Sequence, residues 1–189
     1  MKDISLFAVN NIAHLVQPDE FNELSPTSPA LEILTDFKKH RPLTIDGSTP
    51  AIEVEMLMRK AHVKLKLVVD ADNEFIGTIS LDDLDEQHFL AMIANGYERH
   101  DILVSDLMRP KHDILALNLT QLEQANINDV IKALRQSGQQ HCLVVDNSGH
   151  QIRGVISASD VARRLHIPIR IERIPTFVDI FSSVRRPAA

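Results

Sequence analysis

Phe75-Ile76-Gly77-Thr78-Ile79-Ser80-Leu81-Asp82-Asp83-Leu84 is answered further along the chain by Arg153-Gly154-Val155-Ile156-Ser157-Ala158-Ser159-Asp160-Val161. Each copy runs Gly, two β-favouring residues, Ser, two variable residues, Asp and an aliphatic side chain. The pairs Gly77/Gly154, Ser80/Ser157 and Asp83/Asp160 are each 77 positions apart. Branched aliphatic residues favour a strand, and a following Ser suits the unpaired N–H groups at a helix start. A strand-to-helix junction is therefore written twice, with the same two polar residues in the same places.

Outward from the first copy, Leu65-Lys66-Leu67-Val68-Val69 reads as a strand and Asp70-Ala71-Asp72-Asn73 as the turn returning it to Phe75. Upstream, Ser48 or Thr49 is the expected cap of a helix with Pro50 at its first position, running to about Ala61. Val54, Leu57, Met58 and Ala61 form its apolar stripe at helical spacing. Leu43-Thr44-Ile45 is a short strand before it, and a further helix is expected from near Asp82 to Asn95-Gly96. Around the second copy the order recurs. Ile114 to Leu117 is a strand, Ile127 to Gln136 a helix stopped by Gly138, Cys142 to Val145 a strand, Asp146 to Gly149 a turn, and a last helix runs from Ser159 to about Leu165. Leu67-Val68-Val69-Asp70 matches Leu143-Val144-Val145-Asp146 at a spacing of 76. An internal duplication explains two units of the same β-α-β-β-α order.

The flanks are less regular. A short helix is expected around Leu6 to Val16, and a helix opening at Pro29 with Leu31, Ile33, Leu34 and Phe37 inward. Beyond His166, Ile167-Pro168-Ile169-Arg170-Ile171 alternates like a strand, and Pro175 to Val184 suits a short helix presenting Phe177, Ile180 and Phe181. The division expected is an extension over 1–30, a first repeat over 31–97, a second over 98–167 and a tail over 168–189.

Bulk properties exclude several functions. The 189 residues carry a formal net charge of −6, and only 4% of them are aromatic with no Trp, which disfavours nucleic-acid binding. Charge is uneven, because seven Arg against Asp160, Glu172 and Asp179 leave +4 from Arg153 onward and −10 before it. Cys142 is the single cysteine and sits in an apolar run, which suits a core residue in a reducing compartment. No signal peptide or membrane-spanning run is evident, so a cytoplasmic location is expected. The nine His show no metal-ligand spacing, and neither Gly-x-Gly-x-x-Gly nor Gly-Lys-Ser/Thr occurs. Asp82 and Asp83 are adjacent and would diverge by about 100° on a helix, a poor acid–base pair. Neither a catalytic constellation nor a metal cofactor is expected.

The doubled unit, its Leu-Val-Val-Asp strand and the Gly-x-x-Ser-x-x-Asp-aliphatic junction resemble the CBS domain, the cystathionine-β-synthase-type repeat that occurs in tandem as a Bateman module. The resemblance spans about Leu31 to His166. It implies an α/β (α+β) fold with two repeats packed as a pseudo-two-fold pair, and a ligand cleft between them for AMP, ADP, ATP or S-adenosylmethionine. It also implies a homodimer that regulates another protein. Carried over by position, Asp83 and Asp160 would accept from ribose hydroxyls, and Ser80 and Ser157 would reach ribose or phosphate. Thr44, His141, Arg153 and Arg164 complete the candidate contacts. A carboxylate suits a vicinal diol, and a helix start suits a phosphate. The competing reading makes Ser80 and Ser157 plain helix caps, with Asp short for the reach back, and the Arg side chains solvated. Where His141 stands in the second repeat the first has Leu65, with the flanking Lys64 and Lys66 expected on the opposite face. The two sites are thus expected to be unequal, the second being the stronger. An empty-cleft interaction scaffold is the alternative function.

Overall fold

The computed structural model describes residues 24–171. The segments expected to be helical around Leu6–Val16 and Pro175–Val184 lie outside the described residues. In chain order the strands are β1 (Thr35–Asp36), β2 (Thr44–Asp46), β3 (Leu65–Val69), β4 (Phe75–Ser80), β5 (Arg109–Pro110), β6 (Ala116–Asn118), β7 (His141–Asp146) and β8 (Gln151–Ser157). The helices are α1 (Ala51–Lys60), α2 (Glu86–Ala94), α3 (Val104–Leu107), α4 (Leu119–Leu122), α5 (Ile127–Ser137) and α6 (Ala158–Leu165). Each repeat places its helices against a four-stranded sheet, and the fold is the mixed α/β arrangement that the doubled pattern implies.

The sheets are ordered β2-β3-β4-β5 and β1-β8-β7-β6. In each, a parallel pair (β2 with β3, β6 with β7) is joined to an antiparallel hairpin (β3–β4, β7–β8). The fourth strand of each comes from the other repeat's lead-in. β1 precedes the first repeat but pairs with β8, Thr35 opposite Val155. β5 precedes the second repeat but pairs with β4, Thr78 opposite Arg109. The cores follow the sheets. Ala30 and Ile33 are buried with Ile127, Val130, Leu134, Val144 and Ile156 of the second unit. Ile102 and Val104 are buried with Val54, Met58, Val68, Ile79 and Phe89 of the first. Backbone hydrogen bonds repeat the exchange, Ile127 N donating to Ser28 O at 3.0 Å and Ala51 N to Ile102 O at 2.8 Å. By packing, therefore, residues 30–36 belong with the second sheet and 102–110 with the first, across the boundaries that the sequence repeat suggests.

The motif glycines allow this exchange. A Cβ on Gly77 would overlap the Arg109 carbonyl and come within 2.9 Å of Met108 Sδ. A Cβ on Gly154 would overlap the Thr35 carbonyl and come within 2.8 Å of Leu34 Cδ1. Bare Cα positions let the lead-in strands approach. On the β1 side an ion pair secures the contact: Arg153 Nε and Nη2 donate to the two Asp36 carboxylate oxygens at 2.7 Å each. The side-chain hydrogen bond from Arg153 is the main reason the Asp36 carboxyl is held well below the usual carboxylate range.

Several local expectations are corrected. The helix expected at Pro29 is a single 3-10 turn, Ala30–Ile33, because the chain must extend at Thr35 to reach β8. Neither Ser48 nor Thr49 caps α1. Ser48 Oγ donates to Asp46 Oδ1 at 2.7 Å, and Pro50 occupies the cap position. Within α1, Val54 and Met58 are buried while Leu57 is exposed, since one sheet covers only part of the apolar stripe. Residues 167–171 form no strand, although the alternation does turn Ile169 and Ile171 onto the second core. Cys142 is buried there too, and burial pushes its thiol up.

Candidate functional site

The two strand-to-helix junctions carry the same residues in different states. After β4 the chain makes a turn before α2, which starts at Glu86 with Asp85 as its cap and not at Asp82. Within that turn Ser80 N and Oγ both donate to Asp83 Oδ2, at 2.8 and 2.5 Å, and Asp83 N donates back to Ser80 Oγ at 3.3 Å. Asp83 thus makes the reach that its short side chain seemed to preclude, because the turn brings it closer than helical geometry would. After β8, α6 begins at once. Ser157 stands at the N-cap position of α6, but its hydroxyl makes no cap hydrogen bond and shares a 2.9 Å contact with Ser159 Oγ. Asp160, in the first turn of α6, instead accepts from Arg163 Nη2 at 2.6 Å.

Each junction faces the other repeat across a cavity. The first, about 420 Å³, joins Thr78, Ser80, Asp82 and Asp83 to Arg109 of β5, Lys64, and Gln139, Gln140 and His141 at the start of β7. The second, about 550 Å³, joins Val155, Ser157, Asp160 and Arg163 to Thr35 of β1, Arg41, and His62, Val63, Lys64 and Leu65 at the start of β3. Both volumes suit a small ligand. The walls correspond across the pseudo-two-fold, Lys64-Leu65 facing Asp160 as Gln140-His141 face Asp83. Lys64, Leu65, His141 and Ser159 line both cavities.

The candidates therefore divide. Ser80, Asp83 and His141 meet in the first cavity, and Ser157, Asp160 and His141 in the second. Thr44, Arg153 and Arg164 line neither. Thr44 lends its carbonyl to Lys66 Nζ at 3.2 Å, Arg153 is bound to Asp36, and Arg164 donates to the Glu32 carbonyl. These two Arg hold the incoming lead-in. Four cations line the cavities, Arg41, Lys64, Arg109 and Arg163, and of these Lys64 lies beside Leu65 on the cavity walls and not on the opposite face as expected. Lys64 precedes β3, so strand alternation does not govern it. The spacing of 76 that pairs Leu65 with His141 was the signal available for Lys64.

His141 is half-buried between the cavities. Burial, and then the charge of Lys64, lower its imidazole from the ordinary value, against the opposing pull of Asp160, Asp82 and Asp83. Gln139 Oε1, beside it, is buried without a hydrogen-bond partner among the described residues. No group of three or more His, Cys, Asp or Glu side chains that could hold a metal occurs among the described residues. No helix among them is long and apolar enough to cross a membrane.

The family model described as CBS domain matches residues 32–87 and again 104–167. The chain belongs to the CBS-domain family. Its two CBS repeats are the two units described above. Among solved structures, the CBS pair is similar to an uncharacterized conserved protein from Pyrococcus horikoshii, at 17% identity and TM-score 0.53, covering 88% of this chain and 98% of that one. It is similar to CBSX2 in complex with AMP, at 21% identity and TM-score 0.51, covering 72% and 94%. A putative acetoin utilization protein (AcuB) from Vibrio cholerae matches at 18% identity and TM-score 0.52, covering 71% and 87%. Among curated protein sequences nothing matches the chain. At these identities the likeness is one of fold.

Proposed function

We propose that this CBS pair is a regulatory module, without catalysis of its own, that binds an adenosine-containing ligand between its repeats and signals through conformation or assembly. The observation that carries the reading is the pair of matched cavities, each setting a junction Ser and Asp from one repeat against the first residues of a strand in the other. A carboxylate there can accept from both hydroxyls of a ribose. That CBSX2, of similar fold, was solved in complex with AMP supports the choice of ligand class. Signalling requires a ligand with unequal affinity for two arrangements of the repeats. The regulated partner is a separate protein, and the setting proposed is the cytoplasm.

A second reading, a dimerisation scaffold with empty clefts, draws on Ile52, Met56 and Leu57 of α1 and Leu90 and Ile93 of α2, which are exposed. These apolar side chains suit a second copy of the chain in either reading. Thermal unfolding with and without millimolar AMP, ADP, ATP or S-adenosylmethionine separates the two. A ligand at about 100 times its Kd stabilises by roughly 2.7 kcal/mol, a clear rise in midpoint. The rise is expected with at least one of the four compounds and is lost in Asp160→Ala. No rise with any of them leaves the scaffold reading standing.

A further inference from the structure

The two cavities differ in charge. The Asp83 cavity sets Lys64 and Arg109 against Asp82 and Asp83, cations and carboxylates in balance. The Asp160 cavity sets Arg41, Lys64 and Arg163 against Asp160 alone, with His62 and His141 on its walls. Neither Arg41 nor Lys64 is held in an ion pair among the described residues. Lys64 lines both cavities but can neutralise an anion in only one of them at a time.

His62 adds an independent observation. It follows α1 with φ at 53°, in the left-handed region, while the matching position after α5 is Gly138 with φ at 65°. Glycine takes this conformation without strain, and a side chain does not. The first repeat nevertheless carries an imidazole here, and it lines the Asp160 cavity. The same conformation recurs at His150 and His166, which line neither cavity; what sets His62 apart is its imidazole on the wall of the Asp160 cavity, where the other repeat lines its own cavity with Gly138.

We propose that the Asp160 cavity takes a nucleoside bearing phosphate, that Arg41, His62 and Lys64 hold the phosphate, and that the Asp83 cavity takes no phosphorylated ligand. This rests on the reading that the cavities bind an adenosine-containing compound, and adds which charge each accepts. A phosphate that draws Lys64 toward Asp160 leaves Arg109 facing Asp82 and Asp83, so the first cavity turns net negative as the second fills.

Calorimetric titration of the full chain with adenosine, AMP and ADP tests this. One AMP per chain is expected, bound about tenfold or more tighter than adenosine. Lys64→Met and Arg41→Met each weaken AMP by about tenfold while adenosine moves by less than about threefold. His62→Gly, relieved of its strain, raises the thermal midpoint of the ligand-free protein yet weakens AMP, which separates a binding role from a folding one. Two equal AMP sites per chain, parallel losses for AMP and adenosine in these variants, or adenosine bound as tightly as AMP would overturn the proposal while leaving the adenosine reading intact. Binding of none of the three compounds would remove both.

Discussion

Asp83 and Asp160 stand at matching positions, yet one carboxylate is folded into its own turn and the other is tied only to an exposed Arg. The hydrogen bonds from Ser80 to Asp83 make Asp83 a local fastening, so Asp83→Ala is expected to cost about 1 kcal/mol of stability. Asp160→Ala loses the Arg163 contact, whose two side chains are 77% and 44% exposed, and should cost less than about 0.5 kcal/mol. Urea denaturation of the two variants gives the comparison. His141 makes a pH-dependent prediction. Its neutral form is favoured in the folded state, so the lowered value contributes stability that is fully present above about pH 6.5 and is lost as pH falls through the folded-state value. Between about pH 7 and pH 5 the native protein should therefore lose stability that His141→Gln does not, as read from thermal midpoints across that range.

The motif glycines act at the scale of paired strands. Gly154→Ala puts a methyl group into the Thr35 carbonyl and should push β1 off β8, with a loss of about 1–3 kcal/mol, as overpacked sites typically show. Ala substituted for Gly77 should do the same to β5. Gly149, where an added Cβ meets only the Gln151 side chain at 3.5 Å, is the control. Chemical denaturation of the three variants reads the difference. The strands, the hairpins and α5 were legible in the sequence because each is fixed by its own residues: β3 and β7 by the aliphatic runs around Val68 and Val144, α5 by its apolar spacing and the stop at Gly138. The lead-in exchange was not, since Thr35 pairs with Val155 far along the chain and nothing local to either says so. The site divided in the same way. Ser80, Asp83, Ser157 and Asp160 announce themselves by repetition, whereas Arg41 and Arg109 reach the cavities only through the exchanged segments and the packing of the repeats.

For the whole molecule, the exchange makes the two repeats depend on each other unequally. A chain begun at residue 38 lacks Ala30, Ile33 and β1, all of which serve the second core and sheet. Such a chain is expected to keep the first repeat protected in hydrogen exchange, because its sheet is complete between Thr44 and Pro110, while amides of β7 and β8 lose protection. Equal loss in both repeats would show that the cavities between them bind the halves more strongly than the strands do. The same wiring sets an order of events during synthesis. The first sheet has all its strands once Pro110 has emerged, but Thr35 leaves the ribosome 120 residues ahead of Val155. At about 5–20 residues per second β1 waits roughly 6–24 seconds with an unpaired edge. During that interval the nascent chain carries a finished domain preceded by an orphan strand, open to capture by a chaperone or by the second half of a neighbouring chain on the same message.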